Sequence, residues 1–329
     1  MMTRRGLLPA GATAAVCLTL PDRPLAAQAR WQMATASQAD SVAVRNLRQF
    51  IQDARDASGD WMELRLHAGG ALMKGAELRR GVQTGQVQMA ELLLSAEREP
   101  DPVTELDVLP GFVRDYDQSR RLAALTRPLI ERRLQRDGLT LLYQMTLPPS
   151  GLYTGFAIES LAALRGTRMR VRTPMGARLA SLLGANPASL DPEEVEGAFA
   201  TRVATTMFTS ASSGVDMRAW TFSRFFTAID ANFPRSTVVV QTRALEALPA
   251  AARAALREAA AAAEARGWAM SLAESVEAPQ KLAEQGMELR RPSPAMTGEL
   301  QRISTTMLEE WMVRAGEHGR RLVEAYRAA

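Results

Sequence analysis

Residues 41–67 read SVAVRNLRQFIQDARDASGDWMELRLH, and this stretch joins two different hydrophobic periodicities. In its first part apolar residues recur at helical spacing, with Leu47 and Phe50 on one face, which predicts an amphipathic helix that ends at Gly59. Over residues 61–67 apolar and polar residues alternate, which predicts a strand with one buried face. A helix followed closely by such a strand is the unit from which α/β folds are built.

The same alternation continues along the rest of the chain. Further strands are predicted over residues 87–94, 139–145, 168–172, 203–208 and 237–241, and helices over residues 76–83, 117–137, 174–183, 191–200, 249–277 and 296–326. The helix predicted over residues 249–277 contains Gly267, which costs about 1 kcal/mol relative to alanine in a helix interior. Repeated alternation of this kind predicts an α/β fold with parallel sheets covered by helices. Ligands bind such sheets at the carboxyl ends of strands where the strand order reverses.

The charge of the chain does not point to a nucleic-acid partner. The 329 residues carry a net charge of +4, with 47% hydrophobic and 23% charged residues, as in an ordinary globular protein. Lys74 and Lys281 are the only lysines, and the arginines are scattered and often stand beside acids. A basic stripe, which nucleic-acid binding requires, is therefore not formed.

The amino terminus has the three parts of an export signal. Arg4 and Arg5 precede a short apolar run over residues 10–20, and Ala27-Gln28-Ala29 is a small-residue cleavage site. Residues 1–29 are therefore predicted to be a cleaved signal that directs the protein to the periplasm, by either the Sec or the twin-arginine route. Cys17, the only cysteine, lies within it, so the mature chain is predicted to hold no disulfide and no cysteine-ligated metal.

The residues give no sign of catalytic chemistry. His67 and His318 are the only histidines, and neither belongs to an HExxH motif or stands near a candidate nucleophilic serine in the sequence. No P-loop, no GxSxG motif and no cluster of residues at metal-ligand spacing occurs. The sequence therefore predicts a protein that is not an enzyme and that uses neither a cofactor nor a metal.

Seven short motifs, each weak alone, occur in order along most of the chain. They are WQMAT at 31–35, GVQTGQVQM at 81–89, PPSGLYT at 148–154, LRGTRMRV at 164–171, LGANP at 183–187, TSASSGVD at 209–216 and AEARGW at 263–268. Together they resemble the solute receptors of tripartite ATP-independent periplasmic (TRAP) transporters, the DctP-type family. The resemblance implies a two-lobed periplasmic binding protein fold with hinge strands, a ligand cleft between the lobes and a long helix that spans both.

This resemblance also implies a division of the chain and a function. Residues 30–147 and about 236–275 would form the first lobe, and about 148–235 and 276–329 the second. The protein would act as a monomeric periplasmic receptor that captures a small organic carboxylate by cleft closure and delivers it to the membrane permease subunits. Two alternatives stay open: a ligand-sensing receptor for a signalling system, and a periplasmic enzyme built on the same scaffold.

The resemblance places the ligand's carboxylate on Arg170, which stands where family members have an arginine that binds this group. A guanidinium suits the task because its rigid fork of donors matches a carboxylate bidentately. Gln241 stands where relatives usually have asparagine; its side chain is one methylene longer, so the pocket or the ligand is expected to differ from theirs. The remaining candidates for ligand contact are Trp220, Tyr153, Ser150, Glu91 and Ser210.

Overall fold

The computed structural model describes residues 29–58 and 62–328. Cys17, the export signal up to residue 28, and the predicted helix stop and strand start at Gly59 and Trp61 lie outside the described residues. None of the helices among the described residues is long and apolar enough to cross a membrane.

Strands and helices alternate over most of the described chain, as the sequence predicts. The strands are β1 (Ala29–Thr35), β2 (Met62–His67), β3 (Met89–Leu92), β4 (Leu139–Thr146), β5 (Ser150–Thr154), β6 (Arg168–Val171), β7 (Asn186–Ser189), β8 (Thr206–Ser210), β9 (Phe225–Thr227), β10 (Arg235–Gln241) and β11 (Glu288–Arg290). The helices are α1 (Val42–Ser58), α2 (Leu78–Thr84), α3 (Tyr116–Arg136), α4 (Pro174–Leu182), α5 (Val195–Ala200), α6 (Ala211–Asp216), α7 (Thr242–Ala247), α8 (Ala250–Glu284) and α9 (Pro294–Ala328).

The strands form two separate sheets, which confirms the α/β class. The first has the order β2-β1-β3-β10-β4, and the second has the order β11-β9-β5-β8-β6-β7. Both sheets are mixed rather than wholly parallel, because β10 runs antiparallel to β3 and β4, and β5 runs antiparallel to β8 and β9. Each of these two strands receives the chain directly from the other sheet. The helical crossover that makes consecutive strands parallel is therefore missing there.

Three connections join the bodies around the two sheets, which we call lobe I and lobe II. Residues 147–149 link β4 to β5, and residues 228–234 link β9 to β10. The third connection is α8, which packs on α1 and β4 of lobe I and then on α6 and β11 of lobe II. The architecture is thus the predicted two-lobed one with a long helix spanning both lobes.

The residue boundaries of the lobes stay a prediction. Apolar side chains of residues 106–113, which the predicted division gives to lobe I, share one buried cluster with Met169 of β6 and Trp311 of α9. The same cluster contains Leu122 of α3, so lobe II packs closely against this part of the chain.

Close packing explains the glycine inside α8. A Cβ atom at Gly267 would lie 2.7 Å from Nδ2 of Asn46 and 2.8 Å from Sδ of Met145. The predicted apolar face of α1, with Leu47 and Phe50 fully buried, rests against the same helix. Glycine is thus needed where α8 crosses α1 and β4.

Candidate functional site

Three cavities lie along the cleft between the lobes. The inner cavity, of about 30 Å³, includes Gln38 and Arg170, and the central cavity, of about 90 Å³, includes Ser37 and Ser150. The outer cavity, of about 230 Å³, lies between Glu91 of lobe I and residues 189–194 of lobe II. The carboxyl ends of β6 and β8 meet this cleft, which is where ligands bind in such sheets.

Arg170 in β6 is a buried guanidinium with incomplete hydrogen bonding. Its Nε donates to the backbone oxygen of Leu190 at 3.0 Å, while its Nη2 is buried and has no partner among the described residues. Burial and, next, the nearby charge of Arg172 lower the pKa of Arg170 to about 9, so the group stays charged at neutral pH. A desolvated cation with a free donor favours an anion in the cavity that it lines.

Arg172, two residues further on, lines all three cavities. Its half-buried side chain makes no hydrogen bond or ion pair with any residue in the described part of the chain. It follows the end of β6 immediately before Thr173, whose hydroxyl oxygen accepts a hydrogen bond from the backbone N–H of Gly176 at 2.9 Å and caps α4. The cap fixes the backbone at this point, so two positively charged side chains are directed at one end of the cleft.

Asp216 is the negative group of the inner and central cavities. Both cavities are lined by Asp216 together with Arg172, Thr209 and Ser213. Its carboxylate has no hydrogen bond or ion pair with the described residues. Burial, followed by repulsion from Glu274, raises the pKa of Asp216 to about 7. The inner end of the cleft thus combines two cations with one titratable acid.

Helix α6, which carries Ser213 and Asp216, is held in place by Tyr153 of β5. The hydroxyl of Tyr153 donates to the backbone oxygen of Ser210 at 3.0 Å. Ser210 is the amino-terminal cap of the helix, since its side-chain oxygen accepts from the backbone N–H of Ser213 at 3.1 Å. A Cβ at Gly214 would lie only 1.8 Å from the Tyr153 hydroxyl oxygen, so only glycine allows the helix to sit this close.

The structure brings four of the seven candidate site residues to the cleft. Arg170 lines the inner cavity, Ser150 and Ser210 line the central cavity, and Glu91 lines the outer one. The Glu91 carboxylate accepts hydrogen bonds from the hydroxyls of Thr35 and Ser37, the latter at 2.9 Å.

The other three candidates line none of these cavities. Tyr153 is fully buried beneath α6, and Trp220 packs at the edge of the same apolar cluster. Gln241 lies at the edge of the first sheet away from the cleft, because its backbone N–H bonds Gln88 just before β3 begins, and its side chain donates to the backbone oxygen of Gln83.

Two charged residues of the cleft, Arg172 and Asp216, were not among the candidates. The sequence did contain a signal for the first, because strand alternation places Arg172 on the same face as Arg170. Asp216 stands at the end of the TSASSGVD motif, but nothing in the motif distinguishes it from a surface acid.

Within the described residues, no group of three or more His, Cys, Asp or Glu side chains could hold a metal ion.

An ion pair closes the outer rim of the cleft. Nζ of Lys74, in the segment between β2 and α2 of lobe I, lies 2.7 Å from Oε1 of Glu193, which follows β7 in lobe II. The contact raises the pKa of Lys74 through its hydrogen bond with Glu193. Gly70 lies at the same contact, because a Cβ there would be 3.0 Å from Oε1 of Glu193. We call the Lys74–Glu193 pair the rim clasp.

Comparison with known proteins gives a family and several solved relatives. The model of the DctP family, described as bacterial extracellular solute-binding protein, family 7, matches residues 33–314. DctP7 of Bordetella pertussis, an extracytoplasmic solute receptor binding pyroglutamic acid, is 37% identical over 91% of this chain and 99% of its own, with a TM-score of 0.88. DctP6 of the same organism, also binding pyroglutamic acid, is 33% identical over 91% of this chain and 100% of its own, with a TM-score of 0.89. A marine metagenome TRAP solute-binding protein specific for pyroglutamate is 29% identical over 92% of this chain and 100% of its own, with a TM-score of 0.88.

Proposed function

The chain belongs to the DctP family, the bacterial extracellular solute-binding proteins of family 7, and we propose that its solute is a small monocarboxylate of the pyroglutamate class. Two relatives above 30% identity bind pyroglutamic acid, and each aligns over nearly its whole length. Like them, the protein is an extracytoplasmic solute receptor of the TRAP type. It acts as a monomer in the periplasm and passes its ligand to the membrane permease subunits.

The free Nη2 of the buried Arg170 is the observation that carries this proposal. A ligand carboxylate supplies the acceptor that this donor lacks and the negative charge that offsets its desolvation. Arg170 belongs to lobe II, whereas Gln38 on the same cavity belongs to lobe I. Binding therefore couples the anion to the approach of the two lobes, which is the basis of cleft closure around a ligand.

The cleft volumes support a small ligand. The central and inner cavities measure about 90 and 30 Å³, whereas sites for drug-sized molecules run to about 300–1,000 Å³. Thr209 and Ser213 line both cavities with their hydroxyls, and Ser150 lines the central one. These groups can donate to a ring carbonyl or a carboxylate oxygen without adding charge.

The first test is calorimetry of the wild-type protein with pyroglutamate and with a panel of other small acids. We expect pyroglutamate or a close analogue to bind best, and mass spectrometry of the released ligand to recover it chemically unchanged. A folded protein that binds none of the acids, or that turns one of them over, would contradict the proposal.

The Arg170→Lys variant tests the placement of the carboxylate. We expect a loss of affinity on the order of 10²-fold, because a lysine ammonium keeps the charge but cannot reproduce the planar fork of donors. Arg168→Lys is the matched control, since Arg168 lies on the same strand with an exposed side chain and should bind within about twofold of the wild type. Near-native affinity of Arg170→Lys would exclude Arg170 as the anchor of the ligand.

A further inference from the structure

We infer that Asp216 determines the specificity of the cleft: its carboxylate accepts a hydrogen bond from a donor on the ligand, which in the pyroglutamate class is the ring N–H. This inference rests on the proposed function and goes beyond it, because it selects among carboxylates of the same size and charge.

The position of Asp216 is the first part of the argument. Asp216 lines the inner cavity together with Arg170 and Arg172, so a ligand whose carboxylate is held by the guanidinium groups has its other end within the same small space. The inner cavity can therefore bind two different polar groups of one small ligand, a carboxylate and a hydrogen-bond donor.

The lack of a protein partner is the second part. The Ser213 hydroxyl, which lines the same cavities, is in contact with Oγ of Ser210 at 3.1 Å, and no described side chain donates to Asp216. Asp216 is half-buried, and the partial loss of water around a carboxylate that has no donor carries a cost. A ligand that donates to Asp216 removes this cost, whereas a ligand that presents only carbonyl oxygens or a methylene group does not.

The charges around Asp216 do not neutralise it. The charged groups nearest to it are Asp40, Arg45, Glu274 and Lys281, together with Arg170 and Arg172 on the cavity wall. Arg45 forms an ion pair with the buried Glu274, and Nζ of Lys281 lies 3.9 Å from the same carboxylate, so both cations are already engaged. The raised pKa of Asp216 agrees with this lack of a dedicated counter-charge.

The chemical consequence is discrimination at one atom of the ligand. Pyroglutamate has an N–H in its ring, and 3-oxocyclopentane-1-carboxylate has the same ring with a methylene group in that place. The carbocycle keeps the carboxylate for Arg170 and the carbonyl for the hydroxyls, but it offers nothing to Asp216. Sites built to bind a donor reject analogues without it by far more than sites that only fit the shape.

The test compares the dissociation constants of these two ligands for the wild type and for Asp216→Asn. We expect the wild type to prefer pyroglutamate by on the order of 10²-fold or more. In Asp216→Asn the preference should fall below about tenfold, chiefly because pyroglutamate binds more weakly, since a neutral amide is a poorer acceptor than a carboxylate. The ligand-free variant should unfold at or above the wild-type temperature, because a desolvated acid has been removed.

Asp230→Asn is the matched control. Partial desolvation also raises the pKa of Asp230, yet this exposed residue lines none of the three cavities, and asparagine tolerates its left-handed backbone at φ 43°. The control should keep the full preference. If the wild type bound no pyroglutamate, the proposed function would fail and this assignment with it. If it bound pyroglutamate but Asp216→Asn kept the wild-type preference, the assignment of Asp216 alone would be overturned.

Discussion

Three side chains at the inner end of the cleft hold charge that the protein itself does not pair. Arg170 has a buried donor without an acceptor, Arg172 has no ion-pair partner in the described chain, and Asp216 has no donor. Arg235, by contrast, forms an ion pair with Asp107 at 3.0 Å inside the protein. All three side chains line the same inner cavity, and charged groups that the protein leaves unpaired in a cavity indicate a site that is completed by a ligand.

The pH dependence of binding follows from the raised pKa of Asp216. A ligand that donates to this carboxylate binds its ionised form, so binding lowers the pKa and releases a proton near neutral pH. We expect the affinity for pyroglutamate to rise with pH from 5.5 up to about 7, by at most about tenfold per pH unit, and to level off above that.

Calorimetry in two buffers of different ionisation enthalpy measures the proton release directly. In Asp216→Asn both the release and the rise in affinity should vanish. An affinity that falls as the pH rises would mean that protonated Asp216 donates to the ligand, which contradicts the direction of the proposed hydrogen bond.

At the scale of elements, the packing of α8 against α1 and β4 should affect the stability of a Gly267 variant more than helix propensity does. Gly267→Ala would gain about 1 kcal/mol from propensity alone. We expect instead a loss of about 1–3 kcal/mol, because the added methyl group would overlap Asn46 and Met145. Thermal and urea unfolding of the ligand-free protein measures the difference.

Gly197→Ala in α5 is the matched control for that change. A Cβ at Gly197 meets no atom within 4 Å, so alanine there should stabilise the protein by up to about 1 kcal/mol. Equal stabilisation by both substitutions would show that α8 can move away from its neighbours without cost.

The periodicity of the sequence predicted the long elements well and the short strands poorly. Helix α8 is confirmed and extends to Glu284, and α9 is confirmed with a break at Gly316, where φ is 62°. Strand β5 was not predicted because all its residues are buried and no alternation appears. Strand β7 was missed because it is short and polar, and its pairing with β6 holds it in the sheet.

At the scale of the whole molecule, the two lobes meet through contacts that no local pattern encodes. The resemblance to a family predicted the two-lobed architecture and the place of Arg170. It could not predict the rim clasp or the unpaired state of Asp216, because these depend on how distant segments meet after folding. Lys74 and Glu193 are 119 positions apart in the sequence and belong to different lobes, yet they meet at the rim of the cleft.

The rim clasp should slow the release of ligand. An exposed ion pair contributes little, so we expect Lys74→Met or Glu193→Gln to raise the dissociation rate by up to about fivefold at low salt. Added salt should speed release from the wild type in the same way, because it screens the pair. Stopped-flow displacement of bound ligand measures these rates.

The double variant Lys74→Met/Glu193→Gln should release ligand no faster than either single variant. Arg178→Met is the control, since Arg178 forms an exposed pair with Glu310 inside lobe II, between α4 and α9, and should leave the rate unchanged. Additive effects of the two clasp substitutions would contradict a direct contact between these side chains.

Because the sequence contains only two lysines, the clasp also gives the protein a built-in chemical reporter. An acylating reagent attacks the unprotonated amine, and the contact with Glu193 keeps Lys74 protonated while the rim is shut. Lys281 pairs with Glu277 on its own helix and does not bridge the rim, so its labelling serves as an internal standard. The ratio of the two acylated peptides therefore records how often the rim opens, in native protein without any engineered label.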